Sequence, residues 1–270
     1  MDKLRRALDL ARRERGRADD SNATSHFEPR SVLPRPMAIR YTQTTSFQPS
    51  EGLLEANRVV DIRAASQAAS AFRVLRTQVL QRMDEHQWQS LAIFSPSSDD
   101  GKTTTAINLA ISLANDERHT VLLVDFDLRR PTIASRLGID PIKGTDDVLR
   151  GAARINHCLY HPDRFDRLVI FPARKAMEHS SEALSGPRGR NLVTELRSRY
   201  PDRIILFDLP PVLGTDDALA FAPLVECGLV VVAEGVTRRE DLLRSMELLR
   251  KTPIVGTVLN RATYVPTAYG

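Results

Sequence analysis

Short apolar runs punctuate the chain at residues 91–94, 121–124, 168–171, 204–207, 229–233 and 254–259, with longer, more polar segments between them. Short continuous apolar runs suit strands buried on both faces, so the pattern predicts an α/β fold with a mainly parallel sheet flanked by helices on both faces. Over residues 64–82, Phe72, Leu75, Val79 and Leu80 recur at helical intervals and predict an amphipathic helix ahead of the sheet. The stretch 106–114 reads as a helix following the first run. Leu4, Leu8 and Ala11 stand at helical spacing among Lys and Arg in residues 1–15, which predicts a short basic helix or a solvated arm. Residues 16–57 are polar, carry Pro29, Pro34, Pro36 and Pro49 and show no sustained period, so they read as a linker. The division is then a basic arm and linker (1–57), one domain (58–262) and a tail (263–270), and no internal repeat is visible.

Composition changes this picture little. The chain is 42% hydrophobic and 27% charged, ordinary values for a globular protein. A formal charge of +4 would serve nucleotide phosphates, an anionic membrane surface or nucleic acid, and charge alone does not choose among them. Cys158 and Cys227 stand far apart, which predicts neither a disulfide framework nor a zinc site. No run approaches the ~18 apolar residues of a membrane-spanning helix, and the charged start lacks a signal-peptide core, so the expected location is the cytoplasm.

The chemistry begins where the first apolar run ends, in Ser95-Pro96-Ser97-Ser98-Asp99-Asp100-Gly101-Lys102-Thr103-Thr104-Thr105. Strand, small-residue loop, Gly-Lys-Thr and helix follow in the order a phosphate cradle requires, because loop and helix-start amides then point at phosphate oxygens. The candidate nucleotide contacts are Ser98, Asp100, Gly101, Lys102, Thr103 and Thr104, with Lys102 reaching the β- and γ-phosphates and the Thr103 hydroxyl coordinating Mg²⁺. Pro96 stands where the usual motif has its first glycine, so the loop must be a deviant one. Asp99 and Asp100 would repel a polyphosphate unless their carboxylates point elsewhere.

The second run ends in Asp125-Phe126-Asp127-Leu128-Arg129, and the run 204–207 ends in Asp208-Leu209-Pro210-Pro211. Carboxylates at the C-terminal ends of buried strands lie where α/β sheets bind ligands. Phosphoryl transfer needs a metal clamp, charge neutralisation and an aligned nucleophile. Asp125 and Asp127 are therefore candidates to take a hydroxyl proton or bind metal-held water, Asp208 to hold Mg²⁺ and Arg129 to neutralise phosphate charge. Any one of these aspartates alone would equally well cap the next helix.

These three stretches resemble the Walker A, A′ and B motifs of the bacterial tyrosine autokinases of exopolysaccharide export, in the MinD/ParA-like branch of P-loop NTPases. The resemblance covers about residues 64–261, extends to the start 1–15, and is strongest to the autokinases found beside exosortase-linked loci. It implies ATP and Mg²⁺ as cofactors, with Lys102, Thr103, Asp125, Asp127 and Asp208 as nucleotide, metal and catalytic residues. Asn260 and Arg261 would lie near the adenine, and Tyr264 and Tyr269 would be the phospho-acceptors. It also implies a homo-oligomeric ring and a membrane chain-length regulator of the Wzz type, a polysaccharide co-polymerase, as partner rather than nucleic acid. The protein would then sit peripherally at the inner membrane.

The sequence departs from the family at three places: Ser98-Asp99 replaces a usual Pro-Gly, the ring helix's Glu-x-x-Arg-x-x-Arg reads Ser70, Arg73 and Arg76, and only two tyrosines follow the last run. Two further readings therefore stand beside the autokinase: a degenerate kinase serving as a binding module of the co-polymerase, and a MinD/ParA-type ATPase switch.

Overall fold

Each apolar run becomes a strand. The computed structural model describes residues 44–199 and 202–263. In chain order they form β1 (Thr45–Phe47), α1 (Glu51–Ala56), α2 (Gln67–His86), β2 (Ser90–Phe94), α3 (Lys102–Ala114), β3 (Thr120–Asp125), α4 (Ile133–Leu137) and α5 (Thr145–Arg150). There follow β4 (Tyr160–Pro162), β5 (Leu168–Phe171), α6 (Ser180–Ser185), α7 (Pro187–Arg199), β6 (Arg203–Asp208), α8 (Asp217–Phe221), β7 (Cys227–Ala233), α9 (Arg239–Leu248) and β8 (Ile254–Asn260). The basic helix expected over 1–15 and both tail tyrosines, Tyr264 and Tyr269, lie outside the described residues.

The strands make one eight-stranded sheet in the order β1-β4-β5-β3-β6-β2-β7-β8. Neighbours run parallel except β4 and β5, so the mainly parallel expectation holds. Successive residues of a strand face opposite sides, and here both sets are apolar. Leu91 and Ile93 of β2 pack with Val121 and Leu123 of β3 under α2 and α3. Ala92 and Phe94 pack with Leu122 and Val124 under α6, α7 and α8. Among the described helices α3 is the one enclosed almost completely, with eleven of its thirteen residues buried, and it runs across the middle of the sheet from the loop that precedes it.

Residues 45–56, read from sequence as linker, instead carry structure. β1 pairs in parallel with β4, Thr45 beside Tyr160, and α1 buries Leu54. A strand of three residues and a helix of six are shorter than the period that would announce them, and their stability comes from docking onto an existing edge. The helix expected over 64–82 begins three residues later, where the Ser66 hydroxyl caps the Ala69 amide at 3.1 Å. It ends beyond that range, at Gln87 in a left-handed conformation (φ 56°). Cys158 and Cys227 are free and buried, and burial pushes both thiols up to about 12. No helix among the described residues is long and apolar enough to cross a membrane.

On the α6–α8 face, Phe126, Phe207 and Phe221 meet with ring centroids 5.0–5.3 Å apart, directly beneath the strand ends that carry Asp125 and Asp208. All three rings are fully buried. Phe221→Ala is expected to lower unfolding stability by about 3–5 kcal/mol in urea titrations. A loss below about 1 kcal/mol would show that the cluster does not anchor this end of the sheet.

Candidate nucleotide site

The site is assembled where β2 hands over to α3. The chain leaves β2 at Phe94, turns through 95–101 and enters α3 at Lys102, with Gly101 in the left-handed region (φ 89°) as the residue before the helix. A side chain at Gly101 would collide with Asn260, whose Nδ2 lies 1.8 Å from the place a Cβ would take. The first amides of α3 have no partner within the helix and carry its positive dipole end. α3 starts at Lys102, earlier than the apolar pattern at 106–114 announced, because its polar first turn serves the loop.

Parallel pairing of β3 with β6 sets Asp125 beside Asp208. Lys102, only 6% exposed, reaches Asp208 Oδ1 with its Nζ at 2.6 Å and lies 3.6 Å from Asp127 Oδ2. The Thr103 hydroxyl donates to Asp208 Oδ2 at 2.7 Å. Asp125 is fully buried and accepts the backbone amides of Ile133 (3.1 Å) and Asp127 (3.2 Å), so it fixes the turn after β3. Three carboxylates thus converge around one ammonium. Burial, reinforced by the Asp208 charge, holds the Asp125 carboxyl well above its ordinary value, and burial also raises Asp127 although Lys102 opposes it.

A cavity of about 370 Å³ opens over these groups, bounded by the loop 95–104, residues 127–136 and residues 210–215. Of the candidate residues, Ser98, Gly101, Lys102, Thr103, Thr104, Asp127 and Arg129 line it. Asp100 does not: it is fully buried, with one carboxylate oxygen accepting the Ser97 amide at 2.8 Å. Asp99 sits exposed in the left-handed region (φ 66°). The acidic pair is therefore split: Asp99 is exposed at the rim of the cavity it helps to line, and Asp100 is folded into the protein.

Arg129 lines the cavity, but its guanidinium is engaged by Asp217 Oδ2 at 3.1 Å and Asp216 Oδ1 at 3.7 Å. Asn260 Nδ2 donates to the Asp100 carbonyl at 2.8 Å, and Arg261 Nη2 to the Asp99 carbonyl at 2.6 Å, so both brace the back of the loop. Arg73 and Arg76 of α2 also donate within the chain, to the carbonyls of Ile62 and Ser112. Arg130 and Arg136 on the cavity wall escaped the sequence reading, and Arg136 Nη1 donates to Thr104 Oγ1 at 2.9 Å. The Arg-Arg pair at 129–130 was the only signal for the first, and nothing local marks Arg136, which α4 brings across.

A hydroxyl and carboxylates are hard oxygen donors, and the cluster lacks positive charge, both of which fit a hydrated Mg²⁺ ion. Among the described residues no three His, Cys, Asp or Glu side chains are set to hold a metal alone. An ion here would share its coordination with phosphate and water.

A glycine-lysine-threonine turn facing strand-end aspartates on a parallel sheet defines a P-loop nucleotide-binding domain. Residues 91–267 match the model described as CobQ/CobB/MinD/ParA nucleotide binding domain, and the chain belongs to that family. It is 25% identical over 209 residues to tyrosine-protein kinase YwqD of Bacillus subtilis, covering 77% of this chain and 86% of that protein. It is 31% identical over 211 residues to the succinoglycan biosynthesis transport protein ExoP of Rhizobium meliloti, covering 76% of this chain. The chain spans only 26% of ExoP. Its fold superposes on the kinase domain of Escherichia coli tyrosine kinase ETK with a TM-score of 0.70 and 26% identity, covering 83% of this chain and 91% of that one.

The charge cluster predicts a pH dependence. A carboxyl whose folded pKa is raised penalises the folded state above that pKa, and the penalty is relieved as pH falls through it. Lowering the pH from neutral toward the raised values of Asp125 and Asp127, both above 3.8, should raise the thermal midpoint of the ligand-free protein. Further down the sign reverses, because the carboxylate of Asp116, held at about 2 by Arg118, loses its stabilising charge there. Asp127→Asn, which keeps an oxygen for the Arg130 amide, should stabilise the ligand-free protein at neutral pH by on the order of 1 kcal/mol. A lower midpoint in that variant by differential scanning fluorimetry would refute the reading of this cluster as charge-deficient.

Proposed function

We propose that this chain is an ATP- and Mg²⁺-dependent protein-tyrosine kinase that phosphorylates tyrosines of its own tail, Tyr264 and Tyr269, in the control of exopolysaccharide polymerisation or export. The observation that carries the reading is the convergence of Lys102, Thr103 and Asp127 at one cavity behind a helix-start phosphate loop, over the buried Asp208 that Lys102 and Thr103 both contact. The likeness to YwqD and to the ETK kinase domain supports a kinase over other members of the nucleotide-binding family.

The roles follow from where each group lies. The amides opening α3 and the Lys102 ammonium bind phosphate oxygens, and Lys102 leaves Asp208 to do so. Thr103 and Asp208 would hold Mg²⁺, which when bound supplies charge neutralisation at the phosphates. Of the A′ pair, Asp125 is sealed from the cavity and holds the turn, while Asp127 lines the cavity with its carboxyl raised above its ordinary value. Asp127 is thus the group that accepts the tyrosine hydroxyl proton, and Asp125 positions it through the Asp127 amide. Arg129 would exchange its Asp217 contact for phosphate as substrate enters. The inward fold of Asp100 removes one of the two charges that would have favoured a degenerate, non-binding loop, and Asp99 stays at the cavity rim.

The partner that fits this reading is a membrane chain-length regulator of the Wzz type, which would hold the chain at the inner membrane. Homo-oligomerisation through α2 would need contacts other than an Arg73 or Arg76 bridge to an acidic residue at position 70, which is Ser70.

Incubation with radiolabelled ATP and Mg²⁺, alone and with the activator's cytoplasmic segment, should label Tyr264 or Tyr269. Lys102→Met should reduce labelling at least ~100-fold, through loss of the charge that stabilises the transferring phosphoryl group. Free phosphate release without labelled protein would replace the kinase by an ATPase switch, and the absence of both would leave a binding module.

A further inference from the structure

The loop that begins with Pro96 has no glycine to relax its first turn, so something must hold its shape. The one charged side chain buried between Pro96 and Gly101 is Asp100, and its two oxygens have different partners. One takes the Ser97 amide at 2.8 Å. The other takes the hydroxyl of Thr237 at 2.6 Å, from the turn that joins β7 to α9 and 137 residues further along the chain.

Thr237 is itself fixed. Its amide donates to the Ala233 carbonyl at 3.0 Å, and its hydroxyl oxygen accepts the Ala233 amide at 2.8 Å. With that lone pair engaged, the single hydroxyl hydrogen is directed at Asp100. The contact is charge-assisted and part-buried, with its carboxylate fully enclosed, a setting that strengthens a hydrogen bond. The carbonyl of the same Asp100 is held separately by Asn260 at the end of β8. The turn after β7 and the end of β8 thus grip the loop through one residue.

We propose that Thr237 is a positioning residue for nucleotide binding: through Asp100 it sets the course of residues 97–100 and keeps the Asp100 carboxylate turned away from the phosphates. The inference rests on the nucleotide-binding reading of this site. The Thr237 hydroxyl reaches the loop by its hydrogen bond to Asp100, so its effect on a ligand passes through that carboxylate. Without the hydroxyl, Asp100 loses the partner that draws it inward, and its charge is free to swing toward the position of the ligand.

The test is a two-by-two set in the full chain: wild type, Thr237→Val, Asp100→Ala and the double variant, with Thr237→Ser as the conservative control. Calorimetric titration with ATP and Mg²⁺ reads affinity, and amide hydrogen exchange at Ser97 reads the loop. Thr237→Val should weaken binding roughly tenfold in the wild-type background and leave it unchanged in the Asp100→Ala background, while Thr237→Ser binds as the wild type does. The Ser97 amide should exchange faster in Thr237→Val and not in Thr237→Ser. Equal losses from Thr237→Val in both backgrounds, or no loss in either, would overturn the proposal. A wild type that takes up no nucleotide would instead sink the functional reading itself.

Discussion

The molecule is organised around a deficit of positive charge. Parallel pairing of β3 and β6 drives Asp125 and Asp208 into neighbouring positions at the end of a dry sheet, and Asp127 joins them. Against three carboxylates the protein supplies Lys102 alone. A purely structural core would not retain such a cluster, because like charges in a low-dielectric setting raise one another's pKa and oppose folding. The arrangement becomes favourable only with further cation in place, as when a metal ion arrives with a polyphosphate. The rest of the fold keeps this cluster at its uncompensated spacing: the phenylalanines below fix the strand ends, and Asp125 fixes the turn above.

How much of this was legible in the sequence follows the distance over which each signal acts. The six apolar runs marked their strands because a central parallel strand is apolar on both faces, a local property of four to seven residues. The Gly101-Lys102-Thr103 turn and the strand-end aspartates were visible for the same reason, since each is a strand followed immediately by its chemistry. β1 and α1 were missed because their stability lies in the edge they dock against and not in their own residues. Arg136 was missed because only folding brings α4 to Thr104. Asn260 and Arg261 were legible as residues near the site, while their grip on the loop backbone depends on where β8 ends.

The acidic loop illustrates how a local conflict resolves at the tertiary level. Two adjacent aspartates before Gly101 read as hostile to a phosphate ligand, and on an isolated loop they would be. In the fold, Asp99 occupies a left-handed conformation, which aspartate tolerates better than most residues, and stands exposed at the rim of the cavity. Asp100 alternates inward and finds a donor. The backbone that would otherwise require a glycine at position 99 is held instead by Arg261 on its carbonyl, so a side-chain clamp takes the place of conformational freedom.

That substitution has a consequence for how the loop responds to its surroundings. A glycine-rich loop keeps its shape through its own torsions, whereas this one depends on groups from the β7–α9 turn and the end of β8. Displacement of either element alters the cradle without touching a ligand. Thr263, the last described residue, is tied to Glu234 in the β7–α9 turn through its hydroxyl at 3.0 Å, so the base of the tail and the turn that carries Thr237 are joined. The chain therefore leaves its final strand at the point where the loop is clamped. A pull on the tail would be felt first at Glu234 and Arg261, and through them at the backbone of Asp99.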